Sequence, residues 1–169
     1  MSMCKLFWPT VFATICLGWL GASCAWTEAA QQETPATYGF GRPADQAAIR
    51  SWDIDISPNG EGLPPGRGTV KQGAQVYAAK CAMCHGPTGV EGPMPRLVGG
   101  QGTLATETPI KTVGSYWPYA TTLYDYIHRA MPFTAPQSLT PEEVYSLVAW
   151  LLYRNGIVKE DAVMDARAL

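Results

Sequence analysis

Apolar side chains recur at helical spacing in three stretches of the chain, and these predict its main helices. After Thr69, the residues Val70, Ala74, Tyr77, Ala78 and Cys81 fall at i, i+4, i+7, i+8 and i+11, a single stripe. A second helix is predicted from Thr121 or Thr122. There Leu123, Tyr126, Ile127 and Ala130 repeat at i, i+3, i+4 and i+7 until Pro132 stops the pattern. The third helix carries the fullest set of signals. Thr140 is a natural N-cap, Pro141 suits the first helical position, and Glu142 and Glu143 favour the positive helix end. Val144, Leu147, Val148 and Leu151 supply its apolar face, and Asn155-Gly156 closes it.

Elsewhere no such period appears. From Trp26 to Gly68 the chain is rich in Pro, Gly and Gln, with Pro58-Asn59-Gly60 and Leu63-Pro64-Pro65-Gly66 as breakers. This predicts an irregular N-terminal arm with one short helix over Asp45–Trp52. Tyr38, Phe40, Trp52, Ile54 and Ile56 are too many apolar groups for a solvated tail, so the arm is expected to lie against the domain or against a partner. Between Gly86 and Tyr119 no strand alternation is visible, and Gly86, Gly89, Gly92, Gly99, Gly100 and Gly102 are interspersed with Pro87, Pro93 and Pro95. A loop of that length argues against a compact domain unless it packs on something other than protein. A large buried prosthetic group would meet that need.

The beginning of the chain has a different pattern. Lys5 precedes a largely apolar run from Leu6 to Leu20, and Gly21-Ala22-Ser23-Cys24-Ala25 follows with Ser23 and Ala25 placed for cleavage. The run is shorter than the ~20 apolar residues that span a bilayer. It is therefore read as a cleaved export signal over residues 1–25, not a retained anchor, which implies a periplasmic protein with no membrane segment after cleavage. The expected division is then an arm over 26–68, a helical domain over 69–158 and a tail over 159–169. The net charge of −2 lacks the basic footprint that nucleic acid would require. Removal of residues 1–25 takes Cys4, Cys16 and Cys24 away and leaves only Cys81 and Cys84.

Those two cysteines lie in Cys81-Ala82-Met83-Cys84-His85, a C-x-x-C-H motif that signals covalent attachment of c-type haem. Two thiols three positions apart at a helix end can each add to one vinyl group of the same porphyrin. The adjacent His85 can then offer its imidazole to the iron. A thioredoxin-like pair would need a βαβ setting, and none is visible. A structural zinc site would need further ligands, and the mature chain has only His128 to add. For the sixth iron ligand the choice falls on Met131, which follows the second helix and is held by Pro132-Phe133. A methionine there raises the reduction potential and suits electron transfer. Met94 competes but sits close to His85 in sequence, and Met131 could instead be only a flexible core filler. Tyr116, Trp117, Tyr119 and Tyr124 are expected to line the haem pocket or its rim, and His128 has no assigned role.

With these motifs in place the chain resembles the class I cytochromes c, an all-α fold of about three main helices and long loops around one covalent haem. Pro95-Arg96-Leu97-Val98-Gly99 is similar to that family's Pro-x-Leu-x-Gly loop, whose proline carbonyl accepts a hydrogen bond from the iron-binding histidine. The resemblance makes Pro95 the acceptor for His85. It also matches Gly73 and Tyr77 to the small and aromatic pair with which the first helix crosses the last, here near Trp150.

Longer phrases narrow the resemblance. Phe40-Gly41-Arg42-Pro43-Ala44, Trp52-Asp53-Ile54-Asp55-Ile56 and Gly62-Leu63-Pro64-Pro65-Gly66 precede the haem motif. Tyr119-Ala120-Thr121-Thr122-Leu123-Tyr124-Asp125-Tyr126-Ile127 and Arg129-Ala130-Met131-Pro132-Phe133 follow it. Together they are similar to the cytochrome subunits of the sulfane dehydrogenases of the Sox sulfur-oxidation system, and to those of sulfite dehydrogenases, over roughly residues 38–165. This resemblance implies an electron-transfer subunit, not itself a catalyst. Some members of the sulfane branch carry a second haem domain, but the single C-x-x-C-H motif of this chain makes it a one-haem subunit. It would take electrons one at a time from a molybdenum-containing dehydrogenase subunit and give them to a soluble cytochrome c. Two other readings stand beside it: a free-standing electron shuttle, and a haem enzyme or gas sensor with an exchangeable sixth ligand.

Overall fold

A computed structural model of the chain describes residues 38–169, so the expected export signal over 1–25 lies outside the described residues. Its elements run α1 (Gln46–Trp52), β1 (Arg67–Thr69), α2 (Val70–Lys80), α3 (Ala82–His85), α4 (Ala120–Ala130), α5 (Pro141–Arg154) and β2 (Val163–Asp165). All of them fall within Pro43–Leu169, which forms one compact unit. The architecture is helical apart from one short strand pair, with α2, α4 and α5 as its main members.

Capping fixes where two of the helices start. The Thr69 hydroxyl accepts the Gln72 amide while the Gln72 side chain returns to the Thr69 amide, and Thr140 and Glu143 do the same for α5. Each reciprocal pair satisfies two backbone donors that the first helical turn leaves free. The third main helix, α4, has no side-chain cap and ends at Met131.

At the centre lies α5. Every residue from Val144 to Leu152 is buried, not only the predicted stripe, because α2, α4, β1 and β2 all pack around it. Where α2 crosses, Gly73 is required: a Cβ there would stand 1.9 Å from the Ser146 carbonyl oxygen. One turn on, Tyr77 stacks on Trp150 with ring centroids 3.9 Å apart, a pairing worth about 1 kcal/mol beyond its area. The inner face of α2 therefore runs Val70, Gly73, Tyr77, whereas Ala78 of the predicted stripe is exposed.

Two features depart from the sequence reading. The last residues return to the domain, and β2 pairs antiparallel with β1, placing Met164 opposite Gly68. Gly68 permits this by letting the backbone approach Ser146, where a Cβ would lie 2.2 Å from the amide nitrogen. On α4, Tyr124 is fully buried against Tyr145, while Tyr126 turns outward to meet the edge of Trp117. Tyr124 is thus a core residue.

The arm is partly pinned to the domain. The buried Ile56 amide donates to Asp125 Oδ1 at 2.8 Å, the Thr121 hydroxyl to the Pro58 carbonyl at 2.9 Å, and the Tyr145 hydroxyl to the Pro64 carbonyl at 2.8 Å. By contrast α1, capped by Asp45, buries none of its residues.

Candidate functional site

The helical stripe of α2 delivers the chain to Cys81, which caps α2 and opens the single turn of α3. Cys81, Cys84 and His85 therefore share one turn of backbone, since the Cys84 and His85 amides both donate to the Cys81 carbonyl. The two cysteines are unpaired and half-buried. Before haem is attached, burial, opposed by nearby Lys80, pushes the Cys81 thiol up to about 11.

Past His85 the chain folds back on itself. The Met94 amide donates to the Cys84 carbonyl at 3.0 Å, and the Leu97 amide to the Gly89 carbonyl at 2.8 Å. Gly92 allows the return, because a Cβ at that position would stand 2.1 Å from the Cys84 carbonyl oxygen. Glu91 staples the turn: it accepts from the Thr88 hydroxyl and the Thr88 amide, and these bonds hold its carboxyl below the usual range. The fold-back brings the Pro95 carbonyl oxygen to 3.0 Å from His85 Nδ1. An acceptor there selects the tautomer with hydrogen on Nδ1 and leaves Nε2 with a free lone pair.

Tyr77 supports the same turn from α2. Its hydroxyl donates to the Gly86 carbonyl at 2.9 Å. Burial, with Cys81 and Glu91 nearby, pushes its pKa up to about 12, so the group remains a neutral donor across the physiological range.

Met131 stands at the C-terminal cap of α4, half-buried against the core. Met94 and Met83 are exposed, and Met164 is buried on β2. Of the aromatics expected near the haem, Tyr116 and Tyr119 are exposed and Trp117 is half-buried. His128 Nδ1 and the Tyr124 hydroxyl are buried on α4 without a partner among the described residues. A cavity of about 260 Å³ opens between the start of α4, the end of α5 and the C-terminal tail. Its walls include Leu123, Leu152 and Trp117, but none of Cys81, Cys84, His85 or Met131.

These side chains fit a covalent haem. Two thiols on one turn, with an imidazole beside them tied at Nδ1, are the groups by which c-type haem is attached and ligated. Sequence reading missed Asn155 as more than a helix stop. Its side chain reaches into the loop after Pro95, and no local pattern announces that contact.

A helical domain with this motif defines a c-type cytochrome, and comparison with known proteins agrees. Residues 68–151 match the family model described as "Cytochrome C oxidase, cbb3-type, subunit III". The chain is 45% identical to a chain in the crystal structure of the sulfane dehydrogenase SoxCD from Paracoccus pantotrophus. That likeness has a TM-score of 0.70 and covers 78% of this chain and 65% of that one. It is also 29% identical over 147 residues to the 1-butanol dehydrogenase (cytochrome c) of Thauera butanivorans, covering 83% of this chain but only 19% of that protein. The domain belongs to the cytochrome c family and carries covalent haem c. No helix among the described residues is long and apolar enough to cross a membrane.

Proposed function

We propose that this chain is a periplasmic electron-transfer subunit that serves a molybdenum-containing dehydrogenase acting on sulfane or sulfite sulfur. In this role it passes electrons on to a soluble cytochrome c and is not itself the catalyst. The observation that carries the reading is the reach of the likeness to the SoxCD chain. It covers 78% of this chain, well beyond the haem domain at 68–151, and only 18 residues follow residue 151. The shared part therefore includes much of the arm, which a generic electron carrier has no need to keep.

In this reading Cys81 and Cys84 would attach the haem by thioether bonds, and His85 and Met131 would be the ligands of its iron. Bound haem supplies one-electron chemistry. His85 would offer Nε2, while its Nδ1–H donates to the Pro95 carbonyl, which keeps the ring from turning and makes it a stronger donor. Met131 would supply a thioether, a ligand type that favours the reduced state. The arm offers the partner a surface: Ile49 and Trp52 lie one turn apart on α1, and Trp52 is 82% exposed. Burial of such a side chain is worth about 2 kcal/mol, which makes it a natural anchor.

The likeness to the butanol dehydrogenase favours a second reading, in which the dehydrogenase served oxidises an alcohol. The test is the visible spectrum of the periplasm-matured protein beside Met131→Ala, followed by co-purification with a candidate molybdenum subunit. A low-spin spectrum whose far-red methionine–iron band is lost in the variant, with capture of the partner weakened by Trp52→Ser, is the expected outcome. Identical spectra remove Met131 from the iron. Reduction by an alcohol dehydrogenase alone would move the assignment to the second reading.

A further inference from the structure

We propose that Asn155, at the C-terminal cap of α5, is a positioning residue for the iron-binding histidine; this rests on His85 as the iron ligand. Asn155 is 7% exposed and its side-chain amide is used on both sides. The Nδ2 group donates to the Leu97 carbonyl at 3.1 Å and to the Leu151 carbonyl at 2.8 Å, and Oδ1 accepts the Gly99 amide at 3.0 Å. Its own carbonyl accepts the Gln101 side-chain amide at 2.9 Å. One residue thus ties the end of the central helix to Leu97, Gly99 and Gln101.

The loop contains no helix or strand, and its other ties are the Met94 amide on the Cys84 carbonyl, the Leu97 and Val98 amides on the Gly89 carbonyl and the Thr112 hydroxyl on the Gly99 carbonyl. Of all these only the Thr112 bond and the Asn155 bonds come from outside the turn that starts at Cys84. Pro95, whose carbonyl faces His85 Nδ1, lies two residues before Leu97. The hydrogen bond to His85 therefore depends on a backbone position set from α5. A well-placed acceptor draws the Nδ1 proton, raises the donor strength of Nε2 and favours the oxidised iron. Loosening the loop weakens that bond, so the reduction potential should rise.

The test uses the full haem-loaded chain and two variants that reach Asn155 differently. Asn155→Asp keeps an acceptor for the Gly99 amide but loses both donors. Gly114→Ala leaves Asn155 in place and pushes on it, since the new Cβ would stand 2.3 Å from Oδ1. Ile56→Ala is the control, a buried apolar loss in the arm with no link to this loop. The readouts are the midpoint potential and the exchange rate of the His85 Nδ1 proton by NMR.

In both variants the ratio of reduced to oxidised haem at fixed ambient potential should rise severalfold, tenfold being about 59 mV for a one-electron couple. The ring proton should exchange about tenfold faster, while Ile56→Ala lowers stability and moves neither readout. Wild-type values in both variants, with stability lost as in the control, would overturn the proposal and reduce Asn155 to a helix cap. If Asn155→Asp does not mature, Gly114→Ala decides alone. A wild-type low-spin spectrum that survives His85→Ala would instead sink the assignment of His85, and with it this inference.

Discussion

Gly73→Ala sets two effects of opposite sign against each other at the crossing of α2 and α5. In an isolated helix the change is favourable by about 1 kcal/mol, because alanine has less backbone freedom to lose. At the crossing, the added Cβ would stand 1.9 Å from the Ser146 carbonyl oxygen and 2.7 Å from Trp150 Cβ. Ordinary contact needs about 3.5 Å, so the helices would have to separate by more than an ångström. The obstacles are the backbone and Cβ of a buried helix, not the end of a mobile side chain. Overpacking of this kind costs roughly 1–3 kcal/mol, and a shortfall this large belongs at the upper end or beyond it. The net expectation is a loss of about 2 kcal/mol, or roughly 8 °C in Tm for a domain of this size. Thermal unfolding of the haem-loaded protein, followed by far-ultraviolet circular dichroism, measures it. A Tm that is unchanged or raised would mean the propensity gain wins, and the close-crossing argument would be refuted.

Asp125→Ala should leave the buried Ile56 amide without its acceptor, at a cost of about 1–3 kcal/mol, and speed amide exchange at Ile56. Burial works against the Asp125 charge, but the bonds from Arg129 and from the Ile56 amide outweigh it and hold its pKa below the usual value. Its contribution is therefore complete above the ordinary aspartate pKa of about 3.9 and fades as pH falls through the lower folded value. The stability gap between wild type and Asp125→Asn should accordingly close in acid, and a gap that widens there would contradict the assignment. Tyr77→Phe removes the donor to the Gly86 carbonyl, which keeps the Gly89 amide at 3.3 Å, so the loss in chemical denaturation should be only about 0.5–1 kcal/mol.

The helices were legible because their signals are local. Thr140 with Pro141 and Glu143 marks a helix start within four residues of sequence, and the apolar stripe after Thr69 marks another. The haem motif is equally local. What escaped was set at a distance. The β1–β2 pair is three residues long on each side, includes Gly68, and joins ends of the domain that share no pattern. The choice between Tyr124 and Tyr126 could not be made from spacing at all. On a helix whose inner face is centred between Leu123 and Ile127, both tyrosines lie about 80° from that centre, on opposite flanks. Packing decided it: Tyr145 of α5 receives Tyr124, while Trp117 meets Tyr126 from outside. Pro95 was legible only through resemblance to a family, because nothing in its own residue type states where its carbonyl will point.

The distribution of these contacts bears on how the molecule can be tuned. The segment that carries Cys81, Cys84 and His85 has only one helical turn of its own, so its rigidity is borrowed. Tyr77 holds Gly86 from α2, Trp150 backs Tyr77 from α5, and Asn155 holds the returning loop from the end of α5. The arm is fastened by a different set, namely Asp125 and Thr121 on α4 and Tyr145 near the start of α5. The two sets share the central helix but no residue. A site that must keep its geometry through a change of charge gains from supports locked by packing and hydrogen bonds. An arm that meets a partner needs only a fixed root and a free end. Because α5 is buried over nine consecutive residues, a disturbance at one set must cross a packed core to reach the other. Under the proposed function, affinity for a partner and haem electronics can therefore vary through separate substitutions.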